Sequence, residues 1–299
     1  MIVGGARARV DASRCVVLDA PGALRGSDDA GLFANVAAPL FCVDGNNLLW
    51  RAAHGHPAPF TATDGGDLTP LFRFFSMLRR ALGSWGVFHE CVVCFDGAEA
   101  WGTRLRIDPA YKANRSYEDK DLSFMRWLPE IHAALASAGI ASIEVQDQEA
   151  DDVIATLAAR AGDRRVRIVS TDRDYFQLLS GRCDIVNTRC SPPVVDAEAV
   201  RAAYGVGPDR WCDFRALAGD PSDGIAGVAG IGPKRAAALL ADGASLEDLC
   251  ARGAVPEDVL RWRELIRLRT DVPLDVELSG APSPKMPSAT VVCRELGLI

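Results

Sequence analysis

From about Pro39 onward the chain alternates short apolar runs with amphipathic stretches, a pattern that restricts it to a mostly parallel sheet with helices on its faces. Strands are expected at residues 40–43, 91–95, 142–145, 167–170 and 183–186, and helices at 46–53, 68–82, 121–138 and 149–161, with 176–179 also helical. The 68–82 segment carries Leu71, Phe72, Phe75, Leu78 and Leu82 at helical spacing. After Ser191-Pro192-Pro193 the strand signals fade. Short helical stretches then follow at 196–203, 208–218, 234–240, 246–250 and 256–270, and the proline-bearing tail reads as extended except for its last few residues. The division expected is an extension at 1–38, a sheet domain at 39–190 and a helical lobe at 191–299. The extension is rich in Gly, Ala, Asp and Arg, lacks the apolar core of an export signal, and is assigned no function.

In such a sheet, ligands gather beyond the carboxyl ends of the strands. Asp44 ends the first strand, Asp96 the second, and Asp172 and Asp174 follow the fourth, so three strand ends deliver carboxylates to one edge. Glu149, Asp151 and Asp152 open a helix beside them, with Glu149 and Asp152 spaced to share a face. One aspartate at a strand end is ordinarily a turn former, and one at a helix start serves the helix dipole. The whole set is different: like charges raise one another's pKa, and cations are the remedy. Oxygen ligands without nearby His or Cys select Mg²⁺ or Mn²⁺ over zinc.

Other features narrow the choices. No apolar run reaches the roughly 18 residues of a membrane span. Nine cysteines in no regular framework, with no export signal, suit a reducing cytoplasm. Cys91 and Cys94 form a CxxC, but three residues apart on a strand they point to opposite faces, which argues against a zinc or redox pair. The net charge of -7 looks unsuited to a nucleic-acid partner, yet without nine acidic residues assigned to metal (-7 + 9) the remainder is +2.

The segment Phe41-Cys-Val-Asp-Gly-Asn-Asn-Leu-Leu-Trp-Arg51 resembles the opening motif of bacterial and phage 5'-3' exonucleases of the flap endonuclease superfamily. In the family's order there follow Phe95-Asp96, Arg104, Tyr111-Lys112-Ala-Asn-Arg115, Gln148-Glu149-Ala-Asp151-Asp152-Val and Ser170-Thr171-Asp172-Arg-Asp174-Tyr-Phe-Gln-Leu-Leu179. Ala216-Leu-Ala-Gly-Asp220-Pro-Ser-Asp223-Gly then leads into Gly227-Val-Ala-Gly-Ile-Gly-Pro-Lys-Arg-Ala236, similar to the family's helix-hairpin-helix. The likeness covers residues 40 to about 275 and resembles the exonuclease domain at the front of DNA polymerase I, here expected as a free-standing monomer. Residues 97–103 are one longer than the usual spacing and lack a lysine often found there.

The resemblance implies a PIN-like central sheet and two clusters of metal ligands: Asp44, Asp96, Glu149, Asp151 and Asp152 in the first, Asp172, Asp174, Asp220 and Asp223 in the second. Lys112, Arg115 and Arg104 would neutralise charge on the phosphoryl oxygens. Arg51, Gly227, Gly230, Gly232, Lys234 and Arg235 would contact DNA, and K⁺ would bridge the hairpin to it through the carbonyls of Gly227, Val228 and Ile231. The expected substrates are 5' flaps, 5' ends and duplex–single-strand junctions, with RNA–DNA hybrids a further class, in replication or repair alongside a DNA polymerase. Residues 116–125, where relatives build an arch over single strands, are short and mixed in charge. Competing readings are a PIN-type ribonuclease, RNase H-like primer removal, and a DNA-binding protein without catalysis.

Overall fold

The computed structural model describes residues 37–55, 59–83, 89–115, 119–189 and 194–299. Most of the expected extension, residues 1–36, and residues 116–118 of the arch segment lie outside the described residues.

The elements run β1 (Leu40–Asp44), α1 (Gly45–His54), α2 (Thr69–Gly83), β2 (Glu90–Asp96), α3 (Gly102–Ile107), α4 (Leu128–Ser137), β3 (Ala141–Val145), α5 (Ala150–Arg160), β4 (Val166–Val169), β5 (Cys183–Val186) and β6 (Val194–Val195). The helical part follows with α6 (Ala197–Tyr204), α7 (Trp211–Ala218), α8 (Pro233–Ala241), α9 (Leu246–Ala251), α10 (Asp258–Ile266) and α11 (Ala289–Glu295). The sheet order is β3-β2-β1-β4-β5-β6, parallel throughout except for the antiparallel β6. Strand order therefore reverses between β1 and β4, which opens the crevice where such sheets bind ligands.

Alternation along the strands feeds two cores. Leu40, Cys42, Val92 and Cys94 face α5 and the helical lobe, whereas Phe41, Val43, Cys91, Val93 and Phe95 face α1 and α2. Cys91 and Cys94 thus lie buried on opposite faces of the sheet, as the strand spacing requires. Gly45 lies against the Phe95 ring so closely that a Cβ there would collide with it. That contact seats α1 directly on the end of β1.

The expected helix at 121–138 is two elements, a 3-10 segment at Asp119–Trp127 and then α4. Pro129, in the first turn of α4, has no N–H to extend a helix arriving from upstream. The 176–179 helix is instead a 3-10 turn at Asp174–Leu178, and the 256–270 helix stops at Ile266 because Arg267 turns extended. Two short elements, α3 and β6, were not expected. The tail leaves the helical part and returns to the sheet domain: Glu90 accepts the N–H groups of Ser279 (2.8 Å) and Gly280 (3.2 Å), and Met286, Ala289, Val292 and Cys293 join the α1–α2 core.

Candidate metal centre and nucleic-acid interface

Asp44 closes β1 and caps α1, accepting Asn47 N–H at 2.9 Å. The hydroxyls of Ser170 (2.9 Å) and Tyr175 (3.2 Å) also donate to it across the switch point. Burial pushes its carboxyl up to about 7, opposed by the Asn47 N–H and reinforced by Asp172 and Asp96. Asp96 ends β2 and accepts from Ala150 N–H (2.8 Å) and Asn46 Nδ2 (3.0 Å). Burial raises its pKa as well.

At the start of α5, Glu149 and Asp152 both turn onto one buried cation, Arg104 of α3. Arg104 donates to Glu149 and, in bidentate fashion, to Asp152 at 2.8 and 3.0 Å, while its Nε reaches Leu265 O at 2.9 Å. Asp151 lies 3.8 Å from the same guanidinium, and burial drives its carboxyl well above the usual range. Lys112 donates to the other oxygen of Glu149. Burial works against charge on both partners, but Glu149 holds the ammonium above its ordinary value, and Arg104 with Lys112 holds Glu149 below its own.

The expected charge-neutralising set divides here. Arg104 is 5% exposed and committed to carboxylates and backbone carbonyls, so it organises the acidic residues; Lys112, 8% exposed, is likewise held by Glu149, and Arg115 is the more open of the three. Asp152 has both oxygens engaged by Arg104, one of them also by Arg269 N–H at 2.8 Å, just as Arg104 and Lys112 engage both oxygens of Glu149. The reason is packing: α3 lies against α10, and its arginine is trapped beneath the Leu265 carbonyl.

The second group forms between lobes. Carboxylate oxygens of Asp174, Asp220 and Asp223 all lie within 4.8 Å of one another. Asp172 stands exposed at the rim and accepts Asp174 N–H at 2.9 Å. Burial, then Asp172 and Asp223, raise the Asp174 carboxyl to about 8. Arg215 at the end of α7 pairs with Asp220 and lies 3.8 Å from Asp174.

Loop 110–115 seats its cations on the turn that carries these aspartates. Lys112 N–H donates to Asp223 O (3.1 Å), Asn114 Nδ2 to Pro221 O (2.7 Å), and Arg115 to Ser222 O (3.1 Å) and to the Asp223 carboxylate (2.6 Å). Lys112 adopts φ 55°, a left-handed conformation that a side-chain-bearing residue rarely takes without being held. Gly224, at φ 74°, gives the room: a Cβ there would crowd Asn114 and Ala110. Tyr111 was not singled out in the sequence, yet its hydroxyl lies 3.3 Å from Glu149 and 3.5 Å from Asp223, spanning both groups. Tyr175 and Arg215 likewise carried no sequence assignment, although Tyr175 directly follows Asp174 in the Ser170–Leu179 motif.

Farther out, the hairpin Gly227–Gly232 joins α7 to α8. Gly227 takes φ 68° packed on the Gly219 backbone, where a Cβ cannot fit. Gly230, Gly232, Lys234 and Arg235 are exposed at the start of α8, and Arg235 approaches Gly230 O at 3.4 Å. Arg51, on α1, donates to Thr188 beyond β5 at 2.8 Å.

Residues 39–205 match the 5'-3' exonuclease N-terminal resolvase-like domain, and residues 206–287 match the 5'-3' exonuclease C-terminal SAM fold. The chain belongs to the 5'-3' exonuclease family. Among curated members of known sequence, the thermostable DNA polymerase I of Thermus filiformis is 38% identical over 256 residues, covering 81% of this chain and 30% of that protein. DNA polymerase I of Rhizobium leguminosarum is 33% identical, covering 81% of this chain and 25% of its own length. The chain therefore spans under a third of the curated relatives it matches. In fold it is similar to the bacteriophage T5 D15 protein co-crystallised with metal ions (TM-score 0.63, 22% identity, 76% of this chain and 88% of that one). It is also similar to the catalytic core of Rad2 in complex with DNA substrate (TM-score 0.54, 15% identity, 87% and 88%). This is a nuclease family whose PIN-like, mostly parallel sheet carries a C-terminal helical domain. No described helix is long and apolar enough to cross a membrane.

Proposed function

We propose that the chain is a structure-specific 5'-nuclease that hydrolyses DNA phosphodiesters with divalent ions, Mg²⁺ or Mn²⁺, held at the two carboxylate groups. The observation that carries this reading is the convergence of Asp174, from the 3-10 turn after β4, with Asp220 and Asp223, from the helical lobe, beside the Lys112 loop. The donor set fits a hard cation, being all oxygen. Buried oxygens of Asp174 and Asp151 find no hydrogen-bond partner, which a ligated cation would supply. Structures of the T5 relative have been solved with metal ions and with DNA, which supports carrying both partners over to this chain.

Asp44, Asp96, Glu149, Asp151 and Asp152 would hold ions on the α5 side, and Asp172, Asp174, Asp220 and Asp223 on the helical-lobe side; Arg104 orients Glu149 and Asp152. When bound, the ions supply Lewis-acid stabilisation of the phosphoryl oxygens and activation of the attacking water. Lys112 and Arg115, fixed at the same edge, bring positive charge to the reacting phosphate. Tyr111 orients Glu149 and Asp223 toward each other. Gly230, Gly232, Lys234 and Arg235 receive the phosphates of duplex DNA at the start of α8, without reading its sequence. The carbonyls of Gly227, Val228 and Ile231 are the proposed K⁺ ligands; Val228 O already accepts Ile231 N–H at 2.9 Å and has a second lone pair to offer. Action as a monomer alongside a DNA polymerase completes the proposal.

Competition between a 5'-flapped DNA duplex and single-stranded RNA tests the substrate class, with cleavage of the flap expected to dominate; preferential cleavage of the RNA overturns it. Lys234→Ala weakens duplex binding and lowers the slope of log K against log salt by about 0.9, the loss of one phosphate contact. Binding titrations between 50 and 200 mM salt read this directly, and an unchanged slope removes Lys234 from the interface.

A further inference from the structure

The end of α10 supplies a link that the family motifs leave out. Because Arg267 turns extended, the last carbonyls of α10 lose their helical partners and need others. Residues 265–269 bond alternately to Arg104 and Asp152 on the α5 side and to Gln177 beside Asp174. Leu265 O accepts from Arg104 (2.9 Å) and Arg269 N–H donates to Asp152 (2.8 Å), both on the α5 side. Between them, Ile266 O accepts from Gln177 Nε2 (3.0 Å) and Leu268 N–H donates to Gln177 Oε1 (2.9 Å). Gln177 also donates to Asp174 O at 2.8 Å and accepts from the Cys212 thiol of α7 at 3.2 Å. The side chains of Leu265, Ile266 and Leu268 are buried, so the segment is anchored in the core between the two groups.

We propose that Gln177 is a positioning residue: through residues 265–269 it fixes Asp174, and with it the second carboxylate group, relative to the Arg104-centred first group. The proposal rests on the metal-dependent nuclease reading above. One amide side chain ties together the 3-10 turn that bears Asp174, the α7 helix that leads to Asp220, and the strap that reaches Asp152. An unbranched hydrophobe of equal length fills the same space but makes none of these bonds. The separation of the two groups is then set less firmly, at a site where outer-shell partners are commonly worth about 10- to 100-fold in metal affinity or activity.

The test compares wild type with Gln177→Met and Gln177→Glu. Mn²⁺ binding to the full chain is followed by calorimetry, and cleavage of a 5'-labelled flap duplex is followed across Mn²⁺ concentrations. For Gln177→Met we expect Mn²⁺ affinity and kcat each to fall about tenfold and the half-saturating Mn²⁺ to rise in step, with KM for DNA within about twofold. Gln177→Glu keeps the acceptor for Leu268 N–H but sets a carboxylate oxygen against Asp174 O and Ile266 O, so it should lower Mn²⁺ affinity as well; it carries the test alone if the Met variant does not fold. Wild-type Mn²⁺ affinity in the folded variants overturns the proposal, as does a fall in kcat with no movement of the Mn²⁺ midpoint. If wild type binds Mn²⁺ but cuts no flap, the nuclease reading fails instead, and the calorimetric comparison still decides the role of Gln177.

Discussion

Asp174→Asn is expected to reduce Mg²⁺-dependent cleavage by roughly 10³-fold while making the metal-free protein more stable at pH 8.5. The rate loss follows from removing a ligand from a site that contributes several kcal/mol of charge stabilisation in the transition state, at about 1.4 kcal/mol per factor of ten. The stability gain follows from linkage. Asp174 is raised from an ordinary 3.8 to about 8, by burial first and then by Asp172 and Asp223. Between those values the native protein holds a proton that the unfolded chain has released, so stability falls as pH rises through that window and levels off above it. An asparagine does not titrate and removes that slope. Asp44→Asn should behave alike over a window ending near 7. Thermal unfolding in EDTA at pH 6 and 8.5 checks this: the Asp174→Asn variant should gain on wild type at the higher pH, and Mg²⁺ should reverse the order. Equal pH dependence in variant and wild type would remove Asp174 as a strained, cation-requiring carboxylate.

Arg104→Met should cost about 3–5 kcal/mol of folding stability, the range for breaking a buried ion pair and leaving charge uncompensated. Glu149 and Asp152 are both 2% exposed; Glu149 would keep Lys112, and Asp152 would keep the Arg269 N–H. Leu265 O would lose its donor at the same time. Arg104→Lys keeps a charge but cannot form the paired contacts to Asp152, so it should fall between the two. Chemical denaturation in EDTA measures all three proteins. A variant as stable as wild type but slow in cleavage would instead assign Arg104 to the reacting phosphate, the role its motif position implies.

That contrast shows what could be read before the fold was known. The strand ends bearing Asp44 and Asp96 were legible because apolar runs of four and five residues stop abruptly at an acidic one, and parallel pairing brings such ends to one edge, with Asp172 and Asp174 a few residues beyond β4. The motif order supplied Asp220 and Asp223, which no local pattern marks as partners of Asp174. The role of Arg104 was not legible. It depends on α3, a six-residue helix too short to show a period, pressed against α10 more than 150 residues away in sequence. Gln177 and Arg215 were hidden for the same reason: their partners are backbone and carboxylate groups on other elements. The break at Pro129 was legible in principle, since proline in a helical pattern marks a start or a kink, yet the apolar periodicity on either side masked it. The tail's return onto Glu90 and α2 had no local signal at all.

The second carboxylate group is completed only where the helical lobe meets the sheet, so the lobe that would grip duplex DNA also supplies two of the three converging aspartates. Catalysis and binding should therefore fail together when Asp220 and Asp223 are displaced. The most direct measurement is product mapping on a 5'-labelled flap duplex with wild type and Asp174→Asn, each in Mg²⁺ and in EDTA, alongside a binding assay on the same DNA. The account predicts discrete products near the flap junction for wild type in Mg²⁺ alone, with binding retained and cleavage lost in the variant. Products in EDTA, or wild-type cleavage by Asp174→Asn, would contradict it, as would tight flap binding by wild type with no Mg²⁺-dependent product.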